Sequence, residues 1–180
     1  MLRRQLRRNF RKPLIVIAPK KLLKLKEAGS KFESFGPGTK FSRTIKEREE
    51  SKLVTPDKIR KLVFCSGQVY YDLKAYRDLN KINDVAIITV EQLFPLPYDH
   101  FQRHVAKYPN AQIIWTQEEH KNMGGWSYVQ PRFNSFLKKY FPTRKSEISY
   151  AGRSPCASTA TGFGSTHKEE LESLIATTLK

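Results

Sequence analysis

Residues 62–76, LVFCSGQVYYDLKAY, change from one hydrophobic period to another within fifteen positions. The first four residues are all apolar, which is typical of a strand buried on both faces. Ser66 and Gly67 then indicate a turn. Apolar side chains next recur at helical spacing, at Val69, Leu73 and Tyr76. The stretch therefore predicts a buried strand, a tight turn and an amphipathic helix, which together begin a βαβ unit.

The same alternation of strand and helix patterns continues to the end of the chain. Further strands are predicted at residues 85–90, 113–115 and 147–150. Helices are predicted after Pro95 and Pro97, from Trp126 to Tyr140, and after a capping box formed by Thr166 and Glu169. Repeated βαβ units impose parallel strands covered on both faces. We therefore expect an α/β fold with a mostly parallel sheet of about four or five strands and helices on both faces.

The amino-terminal part differs in composition from the rest of the chain. Residues 1–26 contain ten Lys or Arg and no Asp or Glu. A short helix is predicted at residues 2–10 and an apolar strand at residues 14–18, giving a basic helix–strand arm. Residues 29–57 hold several glycines, prolines and the charged run 46–50, which is typical of an exposed connector. We place a domain boundary in this connector, because a loop of that length is uncommon inside a compact domain.

The net charge of +16 lies mainly in the first third of the chain, since residues 1–61 carry +13 of it. Such asymmetry usually indicates an acidic partner: nucleic acid, an anionic membrane or an acidic protein face. No nucleic-acid-binding motif is present, so we favour a segment of a larger basic surface over specific nucleic-acid binding. A mitochondrial presequence is also Arg-rich and poor in acids, but the apolar run 14–18 does not continue an amphipathic helix.

Several classes of protein are excluded by motif and composition. Two cysteines, Cys65 and Cys156, are too few for a disulfide scaffold or a four-thiolate zinc site. The four histidines show no metalloprotease or zinc-finger spacing, and no phosphate-binding or dinucleotide-binding glycine motif occurs. No apolar run is long enough to cross a bilayer. The sequence therefore contains no recognised metal-binding or cofactor-binding motif, and we expect no membrane association.

The candidate site residues lie where strands end, because function in parallel α/β folds gathers at the carboxyl ends of the strands. Ser66, Gly67 and Gln68 follow the first strand, where free helix N–H groups could meet an anion. The alternative is a Ser N-cap in an ordinary tight turn. Arg153 follows the last strand and is a candidate contact for a phosphate or carboxylate.

Glu118, Glu119 and His120 end the third strand and could perform acid–base chemistry. However, neighbouring residues on a strand point to opposite faces, so both carboxylates cannot easily address one substrate atom. Asn122 and Trp126 flank two glycines, and an aromatic side chain beside a flexible turn suits a subunit interface. We therefore predict that these five residues form a strand-end loop and an interface.

Taken together, these segments resemble one family: the thiamine-dependent first component of the 2-oxoglutarate dehydrogenase complex, in its carboxyl-terminal part. The resemblance rests on many short motifs in a consistent order over nearly the whole chain. They are LRRQ at residues 2–5, RKPLIV at 11–16, PK at 19–20, FCSG at 64–67, VYYDL at 69–73, VAI at 85–87, EQL at 91–93, YPN at 108–110, QEEHKN at 117–122, YAGR at 150–153 and His167.

The resemblance implies a domain layout. Residues 1–28 look like the last helix and strand of the family's pyrimidine-binding domain, residues 29–57 are the connector, and residues 58–180 look like its transketolase-type carboxyl-terminal domain. The diphosphate- and Mg²⁺-binding domain has no counterpart, so no thiamine-binding, metal-binding or catalytic residue can be carried over. Glu118, Glu119 and His120 then serve the loop and the subunit contact.

The resemblance also implies an activity and partners for the complete enzyme. Family members use thiamine diphosphate and Mg²⁺ to decarboxylate 2-oxoglutarate, and they pass the succinyl group to lipoyl-lysine on dihydrolipoyl succinyltransferase, which assembles with dihydrolipoyl dehydrogenase. Their carboxyl-terminal domain chiefly builds the homodimer, and some members bind an acyl-CoA or nucleotide effector. In eukaryotes the complex lies in the mitochondrial matrix. One disulfide between the two cysteines is arithmetically possible, but nothing else supports it, and so few thiols fit a reducing compartment.

We therefore expect a carboxyl-terminal portion of this enzyme that supplies a dimer interface and an anion site but not the reaction centre. The chain alone should be inactive, and its orphaned apolar strand should make it prone to aggregate. Two alternatives stay open: a non-catalytic scaffold domain, and a basic RNA- or ribosome-associated protein. Whether the substrate is 2-oxoglutarate or 2-oxoadipate also stays open, because the acid-recognising residues lie outside this sequence.

Overall fold

The computed structural model describes residues 1–144 and 147–180. The chain divides into two compact units, Met1–Ser42 and Arg43–Lys180. In the first unit, helix α1 (Leu2–Leu6) is followed by short 3₁₀ turns at Lys20–Leu23, Lys26–Ala28 and Phe32–Phe35. The helix predicted over residues 2–10 thus ends at Leu6.

The strand predicted at residues 14–18 does not form. These residues have no regular structure, and the side chains of Ile15 and Ile17 are 81% and 96% exposed. An apolar segment becomes a strand only when a neighbouring strand pairs its N–H and C=O groups. Among the described residues of this unit none does, so that prediction is wrong for the chain as it stands.

The second unit contains a five-stranded sheet in the order β1-β3-β2-β4-β5. Its strands are β1 (Thr44–Ile45), β2 (Lys61–Cys65), β3 (Val85–Val90), β4 (Gln112–His120) and β5 (Ser149–Arg153). The helices are α2 (Val69–Leu79), α3 (Tyr98–Lys107), α4 (Trp126–Tyr140) and α5 (Gly164–Leu179). Neighbouring strands are parallel except for β1, which pairs with β3 antiparallel. The predicted mostly parallel α/β sheet is confirmed.

Helices cover both faces of this sheet. Leu62 and Phe64 of β2 pack with the buried side chains of α3 and α4, while Val63 and Cys65 pack with those of α2 and α5. Every residue of β2 and β3 is buried, which explains why both strands read as continuous apolar runs rather than as alternating ones.

Several element boundaries differ from their predictions; the third strand, predicted at residues 113–115, runs from Gln112 to His120. Helix α5 begins at Gly164 after Phe163, so Thr166 lies inside the helix and no side-chain cap forms there. The last strand runs from Ser149 to Arg153 rather than over residues 147–150. In each case the local pattern identified the element but not the residue at which tertiary packing starts it.

The predicted connector 29–57 is exposed only in part. From Arg43 onward the chain belongs to the sheet unit, because β1 pairs with β3 and the Glu47 side chain is fully buried. Glu47 Oε2 lies 2.7 Å from Arg77 Nη1 and accepts a 2.8 Å hydrogen bond from the Ile87 N–H. Arg77 Nη1 donates to Val85 O at 3.1 Å. On the outer side of β3, this ion pair thus forms hydrogen bonds to backbone groups that a neighbouring strand would otherwise pair.

Among the described residues, none of the helices combines the length and the apolar character that crossing a membrane requires.

Candidate functional site

The carboxyl ends of β2, β4 and β5 meet at one edge of the sheet, because these strands are parallel. Strand β4 pairs with β2 up to Thr116 and then continues for four residues beyond it, as far as His120. His120 pairs with Arg153 at the end of β5. We call the residues around this edge the strand-end cluster: Ser66, Gly67, Gln68, Gln117, Glu118, Glu119, His120, Asn122, Trp126 and Arg153.

The turn after β2 is held by a contact between Gln68 and Glu118. Gly67 has a φ of 78°, a conformation that glycine adopts without strain. Helix α2 begins at Val69 without a side-chain cap, so Ser66 is not an N-cap. The Gln68 amide nitrogen lies 2.7 and 2.6 Å from the two carboxylate oxygens of Glu118. The Glu118 carboxylate therefore already accepts hydrogen bonds from Gln68, whose side chain the sequence had suggested as a contact for a bound anion.

Gln117 organises the loop after β4, and sequence reasoning missed it. Its side-chain oxygen accepts hydrogen bonds from Trp115 Nε1 and from the Trp126 backbone N–H, both at 2.9 Å. Its amide nitrogen donates to His120 O at 3.1 Å and to Met123 O at 2.6 Å. A buried amide that satisfies groups on both sides of a loop fixes that loop's shape. The only sequence signal was a polar residue following an apolar strand.

The two glycines of this loop are required by close packing. Gly124 has a φ of 63°, and a Cβ there would lie 2.9 Å from Gln117 Nε2 and 3.0 Å from the Glu119 carboxylate. A Cβ at Gly125 would lie 3.1 Å from the Trp115 ring. The loop is therefore tightly closed onto β4, and the Trp126 ring packs 5.2 Å from that of Tyr150, centre to centre.

His120 and Asn122 join the loop after β4 to the segment after β5. His120 is 4% exposed, and its Nδ1 lies 2.8 Å from Ser154 O. Asn122 makes a two-way contact with Cys156: its amide donates to Cys156 O at 2.8 Å, and its oxygen accepts from Cys156 N at 3.0 Å. Both side chains thus bond backbone groups of the segment after β5. Their predicted role in organising the loop and a subunit contact stays a prediction.

Arg153 lies in a separate set of contacts. Its Nη1 forms an ion pair with Glu170 at 2.9 Å and donates to Thr161 Oγ1 at 3.0 Å, and its Nη2 lies 2.9 Å from His167 Nδ1. Among the described residues, no hydrogen bond joins Arg153 to Gln68. The predicted anion contacts are therefore divided between two groups, each already paired with a carboxylate.

Burial keeps two titratable groups near this edge, Tyr150 and Cys65, in their protonated forms. Burial, with a smaller effect of the Glu119 charge, raises the pKa of Tyr150 to about 12, so its hydroxyl stays protonated and donates to Arg153 O at 2.9 Å. Burial also raises the pKa of the Cys65 thiol. Glu118 bonds Gln68, while the Glu119 carboxylate lies beside Gly124. The arrangement can fix loops at the sheet edge, but within residues 1–144 and 147–180 it assembles no nucleophile with its base.

The fold and the strand-end cluster define the class of this chain: an α/β domain of the βαβ type with hydrogen-bonded loops at the carboxyl edge of its sheet. The family model described as "2-oxoglutarate dehydrogenase C-terminal" matches residues 29–179. The chain therefore belongs to the 2-oxoglutarate dehydrogenase C-terminal family, as its motifs predicted.

Curated relatives support the same assignment. The chain is 47% identical over 177 residues to "2-oxoglutarate dehydrogenase, mitochondrial" of Caenorhabditis elegans, which covers 98% of this chain and 17% of the relative. It is 44% identical over 178 residues to the protein of the same name from Dictyostelium discoideum, covering 99% and 17%. A "Probable 2-oxoadipate dehydrogenase complex component E1 homolog" of Dictyostelium discoideum is 42% identical over 175 residues, covering 97% and 19%. The chain thus spans under a fifth of the length of these relatives.

Proposed function

We propose that this chain acts as the carboxyl-terminal domain of a mitochondrial, thiamine-diphosphate-dependent 2-oxoglutarate dehydrogenase component. The observation that carries the proposal is the identity of 47% over 98% of the chain to a protein with that activity in its name. The confirmed parallel α/β sheet agrees with it. In the complete enzyme the domain supplies structure and subunit contacts for decarboxylation of a 2-oxo acid and succinyl transfer to lipoyl-lysine.

The described residues form no cluster that fits the Mg²⁺ used together with thiamine diphosphate. In the part of the chain that the structure describes, no three His, Cys, Asp or Glu side chains converge on one point. The carboxylates of Glu118 and Glu170 are engaged by Gln68 and Arg153. We therefore assign cofactor binding to segments outside this sequence and derive no catalytic step from the residues present.

The strand-end loop is our candidate for the contact with a second subunit. Glu119, at the end of β4, and Asn122, on the loop that follows, are both exposed. Gln117 fixes the backbone of this loop, and fixed loops lose little entropy on binding. Assembly with the succinyltransferase and dihydrolipoyl dehydrogenase, in the mitochondrial matrix, follows from the proposed activity. Glu119→Lys in the complete enzyme should shift the dimer toward monomer in sedimentation, whereas Glu172→Lys on the exposed face of α5 should not.

The turn at Ser66–Gln68 stays a proposal as an effector site. An acyl-CoA or nucleotide phosphate there would have to displace the Glu118 carboxylate from Gln68. Replacing Glu118 with Gln would then strengthen effector binding, because it removes the competing charge. An unchanged or weaker effector affinity, measured by calorimetry, would show that this turn is not the effector site.

The function is tested by complementation. The remainder of the Caenorhabditis elegans relative, lacking the segment matched here, is produced alone, with this chain in trans, and fused to it. We expect turnover of a 2-oxo acid with thiamine diphosphate and Mg²⁺ in the fused protein and none with this chain alone. Both 2-oxoglutarate and 2-oxoadipate are assayed, because relatives carry either name.

An inactive but folded and dimeric fusion would favour the scaffold alternative. Salt-sensitive binding of RNA by the chain, which falls steeply as phosphate contacts are screened, would favour the nucleic-acid alternative. Turnover by the purified chain alone would contradict our assignment of the reaction centre to other segments.

A further inference from the structure

A basic cleft lies between helix α3 and the segment that follows β1. It has a volume of about 330 Å³ and shares no residue with the strand-end cluster. Lys46 and Glu50 line it from one side, and Arg103, His104 and Lys107 of α3 line it from the other. We call it the α3 cleft. Its volume is near the lower limit for small-molecule sites, so a small ligand fits it better than a whole coenzyme does.

The floor of the α3 cleft is polar, partly buried and ordered. Thr44 is 6% exposed, and its Oγ1 lies 2.8 Å from His100 Nδ1 and 3.0 Å from His104 Nε2. A single hydroxyl hydrogen can serve only one of these nitrogens, so the other ring must donate to the Thr44 oxygen. Burial, followed by the nearby positive charges, lowers the pKa of His104 to about 4, so this ring is uncharged at neutral pH. The floor thus offers hydrogen-bonding groups and adds no fixed charge from His104.

The rim of the α3 cleft has an excess of positive charge. Three cations, Lys46, Arg103 and Lys107, face a single lining carboxylate, that of Glu50. Glu50 Oε1 lies 2.8 Å from Lys107 Nζ and 3.9 Å from Lys46 Nζ. Arg103 is 3.8 Å from Asp99 and keeps 68% of its side chain exposed. The Glu50 carboxylate therefore bridges Lys46 and Lys107. The Arg103 guanidinium retains N–H donors that can turn into the cleft.

We propose that the α3 cleft binds a phosphate-class anion, with Arg103 and Lys107 as its principal ligands. A planar guanidinium pairs with two oxygens of such an anion, and an ammonium group adds a point charge. A dianion matches the excess of cations better than a single carboxylate does, and the volume accommodates one phosphoryl group. This inference is independent of the proposed enzymatic function, since it rests on side chains of this chain alone.

The test titrates the whole chain with inorganic phosphate at constant ionic strength, using calorimetry and backbone NMR shifts at Thr44 and His100. We expect saturable binding in the parent. The double variant Arg103→Gln/Lys107→Gln should bind about a hundredfold more weakly, since it removes two charge-assisted contacts that are each worth roughly tenfold. Lys138→Gln/Lys139→Gln on α4 removes the same charge elsewhere and should leave the affinity unchanged. Absence of saturation, or equal losses in both double variants, would overturn the proposal.

A gain of affinity provides the second criterion. Glu50→Gln removes the carboxylate that competes for Lys107, so phosphate should bind severalfold more tightly, a result that a damaged fold could not produce. Unchanged or weaker binding would count against the site. Glycerol 3-phosphate is titrated in parallel: equal affinity assigns a free phosphate ion, and a preference for the ester assigns a phosphomonoester.

Discussion

Gln117 illustrates how one side chain can determine a loop. It is 3% exposed and bonds the Trp115 ring, the Trp126 N–H and two carbonyls of the loop. Gln117→Leu preserves approximate volume but leaves these groups unpaired in the interior. We expect a loss of about 2–3 kcal/mol in the free energy of unfolding, the usual cost of buried unsatisfied polar groups.

Urea unfolding followed by tryptophan fluorescence measures this loss. Gln112→Leu is the matched control, because Gln112 lies on the same strand, is exposed and makes one long hydrogen bond of 3.3 Å to Ser149. The control should change stability by less than about 0.5 kcal/mol. Equal effects of the two substitutions would show that the Gln117 network is not what holds the loop.

His104 makes stability depend on pH. Its folded pKa of about 4 lies below the ordinary value of 6.5, so the unfolded chain binds the proton more tightly. Stability is therefore complete above pH 6.5 and falls as pH decreases toward 4. Between pH 7 and pH 5 we expect a loss of roughly 1–2 kcal/mol, allowing for solvent screening.

The groups around this ring are Thr44, His100, Arg103, Lys107 and Glu50. The hydrogen bond from Lys107 lowers the pKa of the neighbouring Glu50, so that this carboxylate stays ionised through the window above pH 5. Urea unfolding at several pH values gives the slope. The slope should become shallower in His104→Gln, which keeps a hydrogen-bonding side chain without a proton to titrate. A variant with the parent's full pH dependence would assign the effect to other groups.

At the scale of elements, strand β3 has an outer side that β1 covers over two residues only. The Glu47–Arg77 pair continues the cover, since it bonds the Ile87 N–H and Val85 O. Glu47→Gln removes the nearest charge partner of the Arg77 guanidinium, whose side chain is 2% exposed, and leaves the Glu49 carboxylate at 3.6 Å. We expect a loss of about 3–5 kcal/mol in unfolding free energy, as for other broken buried ion pairs.

Chemical denaturation with hydrogen exchange at Ile87 checks this. Glu50→Gln removes an equally charged side chain three residues away whose ion pair with Lys107 is partly exposed, and it should cost no more than about 1 kcal/mol. If the Ile87 N–H of Glu47→Gln stays protected from hydrogen exchange and the free energy of unfolding is unchanged, the ion pair does not serve as the edge of the sheet.

The same elements show what the sequence can predict. Strands β2 and β3 and helices α2 and α4 were predictable, because continuous apolar runs and helical stripes are local signals. Glu47 lay in a charged run typical of an exposed loop, and its role depends on Arg77, thirty residues further on. The role of Gln117 could not be predicted for the same reason, because it too depends on contacts that form only in the folded chain. At the strand-end cluster the sequence located the right edge of the sheet, but it could not show that Gln68 and Arg153 already hold carboxylates.

For the whole molecule, the apolar segment at residues 14–18 governs behaviour in solution. Its side chains Ile15, Val16 and Ile17 are 81%, 54% and 96% exposed. An exposed, β-branched, apolar segment is a template for pairing with another copy. The flanking cations do not prevent this at physiological salt, because charge repulsion between copies is screened within about 8 Å.

We therefore expect the purified chain to self-associate, and more so as salt is raised. Light scattering over a range of protein and salt concentrations measures the association. Ile15→Lys/Ile17→Lys places charge within the segment and should yield a monomer, whereas Leu79→Lys, at an 82% exposed position of α2, should leave association unchanged. A monodisperse parent chain, or rescue by the α2 variant, would show that the segment is not the adhesive surface. If Ile15→Lys/Ile17→Lys is monomeric and Leu79→Lys is not, this would indicate that residues 14–18 need a neighbouring strand, which the proposed complete enzyme supplies.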